Sequence, residues 1–276
     1  DIKVDSDVVD TLVSLGIVEG YDDGSFKPNG TVTRAEMAKM IYTIRSGGNS
    51  DASAYNDDKT SFTDIGTHWA RGYIKYCQSL GIIAGKSNTK FCPNDKVTAQ
   101  EAAKMLLVTL GYNAEKAGLT GAGWAAKTNA LADENGLLED VNTSFTTACP
   151  RQYAAQLIYN AIFAKTVVLR DGEYTDQTAM GVDNKTVGEK YMGMKEEVGT
   201  LTHISYDEDK DEYPYTLTVT TTSASGATTT NPTYKSSKDY SKLYGLNVKV
   251  LYKTTSNKTT VYGMYAKDSS IVASGL

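Results

Sequence analysis

Trp69, Tyr73, Cys77 and Leu80 recur at helical spacing and end at Gly81, and this one-sided apolar stripe predicts a helix stopped by a glycine C-terminal cap. A second helix is predicted after Thr98-x-x-Glu101, a capping box in which each side chain satisfies the other residue's free backbone amide; Thr33-x-x-Glu36 announces another. Each unit therefore reads as helix, loop, helix. Pro150 stands where the other two units have Thr, and it suits a first helical turn, where no amide is needed. Beyond residue 198 the period changes from helical to alternating. Gly199–Tyr206 and Tyr215–Thr220 flank an acidic turn as the arms of a hairpin, and Val248–Tyr252 and Thr260–Tyr265, joined through Asn257, predict two further strands.

The helical units are copies of one another. Leu15-Gly16-Ile17-Val18-Glu19-Gly20 returns as Leu80-Gly81-Ile82-Ile83-Ala84-Gly85, 65 positions later, and the same step carries Phe26-Lys27-Pro28-Asn29 onto Phe91-Cys92-Pro93-Asn94 and Val32–Ala38 onto Val97–Ala103. A more diverged third copy begins at Trp124, which precedes Gly136 by the same twelve residues that separate Trp69 from Gly81. Arg151–Ile158 then follows the apolar rhythm of Arg34–Ile41. A two-helix unit buries too little apolar surface to offset its chain entropy, so the three copies are expected to share one core with approximate threefold symmetry.

Phe62-x-Asp64, His68-Trp69-Ala70, Gly81-Ile82-Ile83, Phe91-x-Pro93 and Val97-Thr98, with Val32-Thr33-Arg34-Ala35-Glu36, resemble the S-layer homology repeat over residues 1–165. The resemblance implies secretion, and a helical bundle whose grooves hold a secondary cell-wall polysaccharide, often one with pyruvylated amino sugars. In the family the signature arginine, the first-helix tryptophan, and the glycine and aromatic after it are associated with these grooves. Here they are Arg34, Trp69, Gly20 and Tyr21, with Arg151 and Trp124 as third-copy counterparts. The chemistry suits that role, because an arginine fork holds a ketal carboxylate and a sugar face stacks on an aromatic ring. Core packing remains the alternative for both tryptophans. The copies also depart from the pattern: the second has Ala99-Gln100 for Arg-Ala, the first lacks the Phe-x-Asp opening and its Trp, and Tyr153 replaces the capping Glu of the third. Not every groove is therefore expected to be competent, and a structural role stays open for the third copy.

The expected fold is α+β and multidomain: an all-α bundle of three repeats (about 1–48, 60–112 and 121–165), a connector over 166–197, and a β-rich domain over 198–276 forming a small antiparallel sheet or barrel. Among 276 residues, 40% are apolar and none of the apolar runs reaches the ~18 residues of a membrane span. A formal charge of −5 without clustered Lys and Arg argues against nucleic acid. The start at Asp1 without Met reads as processing or trimming. Cys77, Cys92 and Cys149 are too few for a disulfide framework and are not spaced as a zinc site; buried thiols filling core gaps are the favoured reading. Asp207–Glu212 begins like a calcium loop but lacks its glycine and closing Glu, so it reads as a solvated turn. His68 and His203 have no nucleophile partner, and no phosphate, dinucleotide or other cofactor fingerprint occurs. The sequence thus points to a non-enzymatic wall anchor, with self-assembly into a surface lattice as the alternative.

Overall fold

The computed structural model describes residues 1–256 and 258–267, so the join at Asn257 lies outside the described residues. The chain divides into two compact units, Asp1–Met192 and a second beginning at Gly193.

The first unit holds α1 (Ser6–Ser14), α2 (Arg34–Arg45), α3 (Arg71–Ser79), α4 (Ala99–Leu110), α5 (Trp124–Glu134), α6 (Arg151–Phe163), the short strands β1 (Val168–Arg170) and β2 (Glu173–Thr175), and α7 (Val187–Met192). Helices α1, α3 and α5 each end in the same way. Gly16, Gly81 and Gly136 take positive φ, between 69° and 74°, and the next amide reaches back to a carbonyl five residues earlier, as Ile82 does to Cys77 at 3.0 Å. Only glycine takes this left-handed turn without strain, which is why the motif repeats with its glycine intact.

The longer helices α2, α4 and α6 start from extended residues. Thr98 and Glu101 form a reciprocal capping box. The Thr33 hydroxyl accepts from the Glu36 amide at 3.1 Å. Pro150 is the cap itself, one position earlier than its chemistry suggested, and its carbonyl accepts from the amides of Tyr153 and Ala154.

Packing interleaves the copies. Helix α3 packs against α2, α5 against α4, and α1 against α6. The extended segments before α2, α4 and α6 pair in a ring: Thr31 bridges Pro150, Thr33 bridges Lys96, and Thr98 bridges Ala148. Leu12, Met37, Ile41, Ile74, Leu106, Leu107 and Phe91 are fully buried within this arrangement. The buried face of α3 is Gly72, Ile74 and Cys77, whereas Trp69 and Leu80 are exposed. Trp69 precedes the helix, so helical spacing does not govern where its ring goes.

After α6 the chain turns back on the helices. The amide of Val167 donates to Leu110, that of Val187 to Ala164, and α7 packs on α6 and α2.

The second unit is antiparallel throughout: β3 (Lys195–Ile204), β4 (Tyr213–Ser223), β5 (Gly226–Thr230), β6 (Thr233–Ser236), β7 (Asn247–Thr255) and β8 (Lys258–Ala266). The order is β5-β4-β3-β7-β8, with β6 also on β4. Its core is Leu201, Tyr215, Leu217, Val219, Tyr234, Tyr240, Val248, Val250 and Met264. Tyr215, Leu217 and Val219 alternate inward along β4 while the intervening threonines face out, which is the predicted alternation. Strands β5 and β6 were not foreseen. Their threonine-rich sequence carries only one deeply buried side chain, Tyr234, and so little alternating pattern.

Candidate functional site

Arg34 opens α2 and is 4% exposed. Its Nε donates to the Phe91 carbonyl at 3.0 Å, its Nη2 to the Ala84 carbonyl at 2.7 Å, and its Nη1 lies 3.5 Å from Glu101 Oε2, while the guanidinium covers the Phe91 ring at 4.6 Å. Burial pulls its pKa down and the Glu101 carboxylate works against that. A guanidinium remains charged under such a shift, so Arg34 is a buried cation that clasps the loop of the next copy. The clasp borders a groove of about 820 Å³ lined by Arg34, Gly85, Lys86, Glu101, Lys104 and Trp124. Lys86 pairs with Glu101, and Trp124 is half-buried with the Lys104 ammonium 5.3 Å from its ring centre.

Arg151 opens α6 and repeats the clasp. Its Nε donates to the Phe26 carbonyl at 3.0 Å and its Nη2 to the Glu19 carbonyl at 3.3 Å, with Nη1 3.9 Å from Glu36 Oε2. It borders a second groove of about 210 Å³ with Gly20, Tyr21, Lys39, Met40 and Trp69. The Tyr21 ring takes Lys27 at 3.9 Å and Arg151 at 4.8 Å. Trp69 is 54% exposed.

The two grooves correspond residue for residue. A step of 65 positions carries Glu19, Gly20, Tyr21, Glu36 and Lys39 onto Ala84, Gly85, Lys86, Glu101 and Lys104, and Arg151 and Trp69 occupy the places of Arg34 and Trp124. Each groove therefore draws its arginine from one copy, its glycine loop and second helix from the next, and its tryptophan from the one after. At the third place around the ring the arginine's counterpart is Ala99 and the tryptophan's is Val4, both buried.

The six residues singled out from the sequence thus fall into two sets: Arg34 with Trp124, and Arg151 with Trp69, Gly20 and Tyr21. Sequence reasoning missed Gly85, Lys86, Glu101, Lys104 and Lys39; the 65-residue step applied to Gly20 and Tyr21 was the signal that leads to the first two. Two quieter motif residues also have partners here. Asp64 accepts from the amides of Phe91 at 3.0 Å and Cys92 at 2.8 Å, holding the loop that faces Arg34. His68 accepts at Nδ1 from the Ala70 amide, which leaves Nε2 to donate to Asn94. Chemically, each groove offers an exposed or half-buried indole beside cations, a pairing suited to the face of a sugar and to an anionic substituent.

Residues 2–38 and 61–103 match the profile of the S-layer homology domain. The chain carries S-layer homology domains. Both matched segments contain a glycine loop and the start of a second helix that build the grooves. It is 28% identical over 188 residues to a surface layer protein of Brevibacillus choshinensis, covering 67% of this chain and 16% of that one. It is 33% identical over 88 residues to a cellulosome-anchoring protein of Acetivibrio thermocellus, covering 32% of this chain and 19% of the relative. An exoglucanase XynX of Acetivibrio thermocellus is 29% identical over 171 residues, with 56% and 15% covered. The chain thus spans less than a fifth of each of these relatives. The S-layer homology domains and the surface-layer relative place the protein at the bacterial cell surface. Among the described residues no helix is long and apolar enough to cross a membrane.

Proposed function

We propose that the S-layer homology repeats, a set of three related by approximate threefold rotation, anchor this protein non-covalently to a secondary cell-wall polysaccharide, and that they do so without catalysis. The observation that carries this reading is the duplicated groove: the same glycine loop, clasping arginine and tryptophan built twice from different copies. A side chain kept for core packing alone would not leave Trp69 more than half exposed beside Arg151 and Tyr21. The cations favour an acidic sugar, and a pyruvate ketal supplies a carboxylate fixed to the ring that the indole holds. The name of the cellulosome-anchoring relative agrees with an anchoring role.

Lattice assembly is the second reading, favoured by β5. All five residues of this edge strand are exposed, and the run from Tyr215 to Tyr234 that contains it carries no charge. Uncharged, exposed edges pair readily with other strands.

Binding of the full chain to wall sacculi, before and after chemical removal of the polysaccharide, separates the two. Loss of binding on stripping is the expected result. Undiminished binding to stripped sacculi would replace sugar anchoring with protein assembly.

A further inference from the structure

Residues Thr220–Asn231 are exposed without interruption. They comprise the outer half of β4, a turn and β5, and they form a two-stranded ribbon that stands clear of the core of its own unit. The pairing of β3 with β4 ends at Thr218, and β6 meets β4 only over Tyr213–Thr216, so Thr220–Ser223 pair with β5 alone among the described residues. Strand β5 in turn has a neighbour on one side only. The Ser223 hydroxyl holds the turn, 2.8 Å from the Ser225 hydroxyl and 3.2 Å from the Gly226 carbonyl. The ribbon thus offers open backbone edges and buries no side chain, and a two-stranded hairpin by itself is only marginally stable in water. Exposed edges are usually guarded by charged residues or Pro. Here no charged residue occurs between Glu212 and Lys235, in a chain that is 22% charged. The outer strand on the other side, β8, packs against β6.

The ribbon's own sequence indicates what fits its edge. Thr220-Thr221-Thr222 and Thr228-Thr229-Thr230 are identical triplets, and β5 is already matched against the first of them. Thr221 lies opposite Thr228 and Thr220 opposite Thr229, with the hydroxyls of the second pair 3.3 Å apart. The β5 of another copy offers the same triplet to the open side. We propose that two copies of this chain pair antiparallel through β5, centred on Thr229, and join their ribbons into one four-stranded sheet. Such a contact is self-complementary under two-fold rotation and therefore closes a dimer, and threonine pairs across strands add to the backbone bonds. The charge-free ribbon admits a second copy, whereas the net charge of −5 keeps two chains apart elsewhere on their surfaces. This proposal rests on the assembly reading above and deepens it; it leaves sugar anchoring untouched, because the grooves belong to the first unit.

Sedimentation equilibrium of the full chain, of Thr229→Val and of Thr229→Lys tests it. The native chain should show a monomer–dimer equilibrium, and Thr229→Val, which keeps a β-branched uncharged side chain, should preserve it. Thr229→Lys sets two ammonium groups opposite each other and should weaken the dimer at least about tenfold, with partial recovery at high salt. Circular dichroism should match the native chain for both variants, since Thr229 is exposed. A dimer that survives Thr229→Lys overturns the β5 contact while the assembly reading stands. A native chain that stays monomeric through the millimolar range also overturns it, and binding to stripped sacculi then judges the assembly reading separately: persistence keeps that reading, and loss removes it too. If such binding persists in a monomeric chain and Thr229→Lys abolishes it, the ribbon's partner is another wall protein and the second-copy assignment fails.

Discussion

Arg34 Nη1 lies 3.5 Å from Glu101 Oε2, which joins the start of one second helix to the capping carboxylate of the next. The same guanidinium also satisfies two loop carbonyls, so its removal would unclasp the loop and leave the Phe91 and Ala84 carbonyls without their donor. Arg34→Ala should therefore cost about 3 kcal/mol of stability. Arg151→Ala, whose guanidinium is more open and whose Glu36 partner stands at 3.9 Å, should cost about half as much. Urea melts of the two variants check the order, and equal losses would mean that the clasp does not depend on burial.

Gly85 and Gly20 occupy the same place in their grooves but tolerate a methyl group differently. A Cβ on Gly85 would come within 2.2 Å of the Ser87 carbonyl and 2.6 Å of the Lys90 carbonyl, both backbone atoms. On Gly20 the nearest atom, the Ser25 carbonyl, would be 3.6 Å away. Gly85→Ala should lose about 2 kcal/mol and reshape the larger groove, while Gly20→Ala should stay within about 0.5 kcal/mol of the native chain. Denaturant midpoints decide between these outcomes.

The three free cysteines should react unequally. Burial pushes the thiols of Cys77 and Cys149 up to about 12, whereas Cys92 is partly exposed. A thiol reagent near neutral pH should titrate Cys92 alone in the native chain, and all three in denaturant. Because a thiol whose folded pKa is raised holds its proton longer than the unfolded one, its contribution to stability is intact below about 9 and is lost as pH climbs from there to about 12. Rapid native-state labelling of Cys77 would contradict its burial.

In the second unit the Tyr215 hydroxyl donates to the Lys238 carbonyl at 2.6 Å and accepts from the Tyr240 amide at 2.8 Å. Burial pushes this phenol up to about 12, with the Tyr240 amide opposing. Its contribution is present below pH 10 and fades between 10 and about 12. Tyr215→Phe should lose about 1–2 kcal/mol at neutral pH, because the Tyr240 amide is left without its partner, and should show a shallower alkaline decline. Melts across this pH range, followed by near-ultraviolet circular dichroism, measure both effects.

Much of this protein was legible in the chain itself. The 65-residue step, the glycine stops at Gly16, Gly81 and Gly136, the capping threonines and the alternation along β4 are local properties, set by backbone geometry and by which side of an element must leave water. Cys77 was rightly read as a buried thiol, whereas Trp69 and Leu80 left the expected stripe because they flank α3 instead of riding on it. What only the tertiary structure decided is which arginine meets which tryptophan. Periodicity describes one copy at a time, but the backbone bridges from Thr33 to Lys96, Thr98 to Ala148 and Thr31 to Pro150 interleave the copies. Arg34 therefore sits across a groove from Trp124, and Arg151 beside Trp69, because each first helix finds its buried partner on a neighbouring copy.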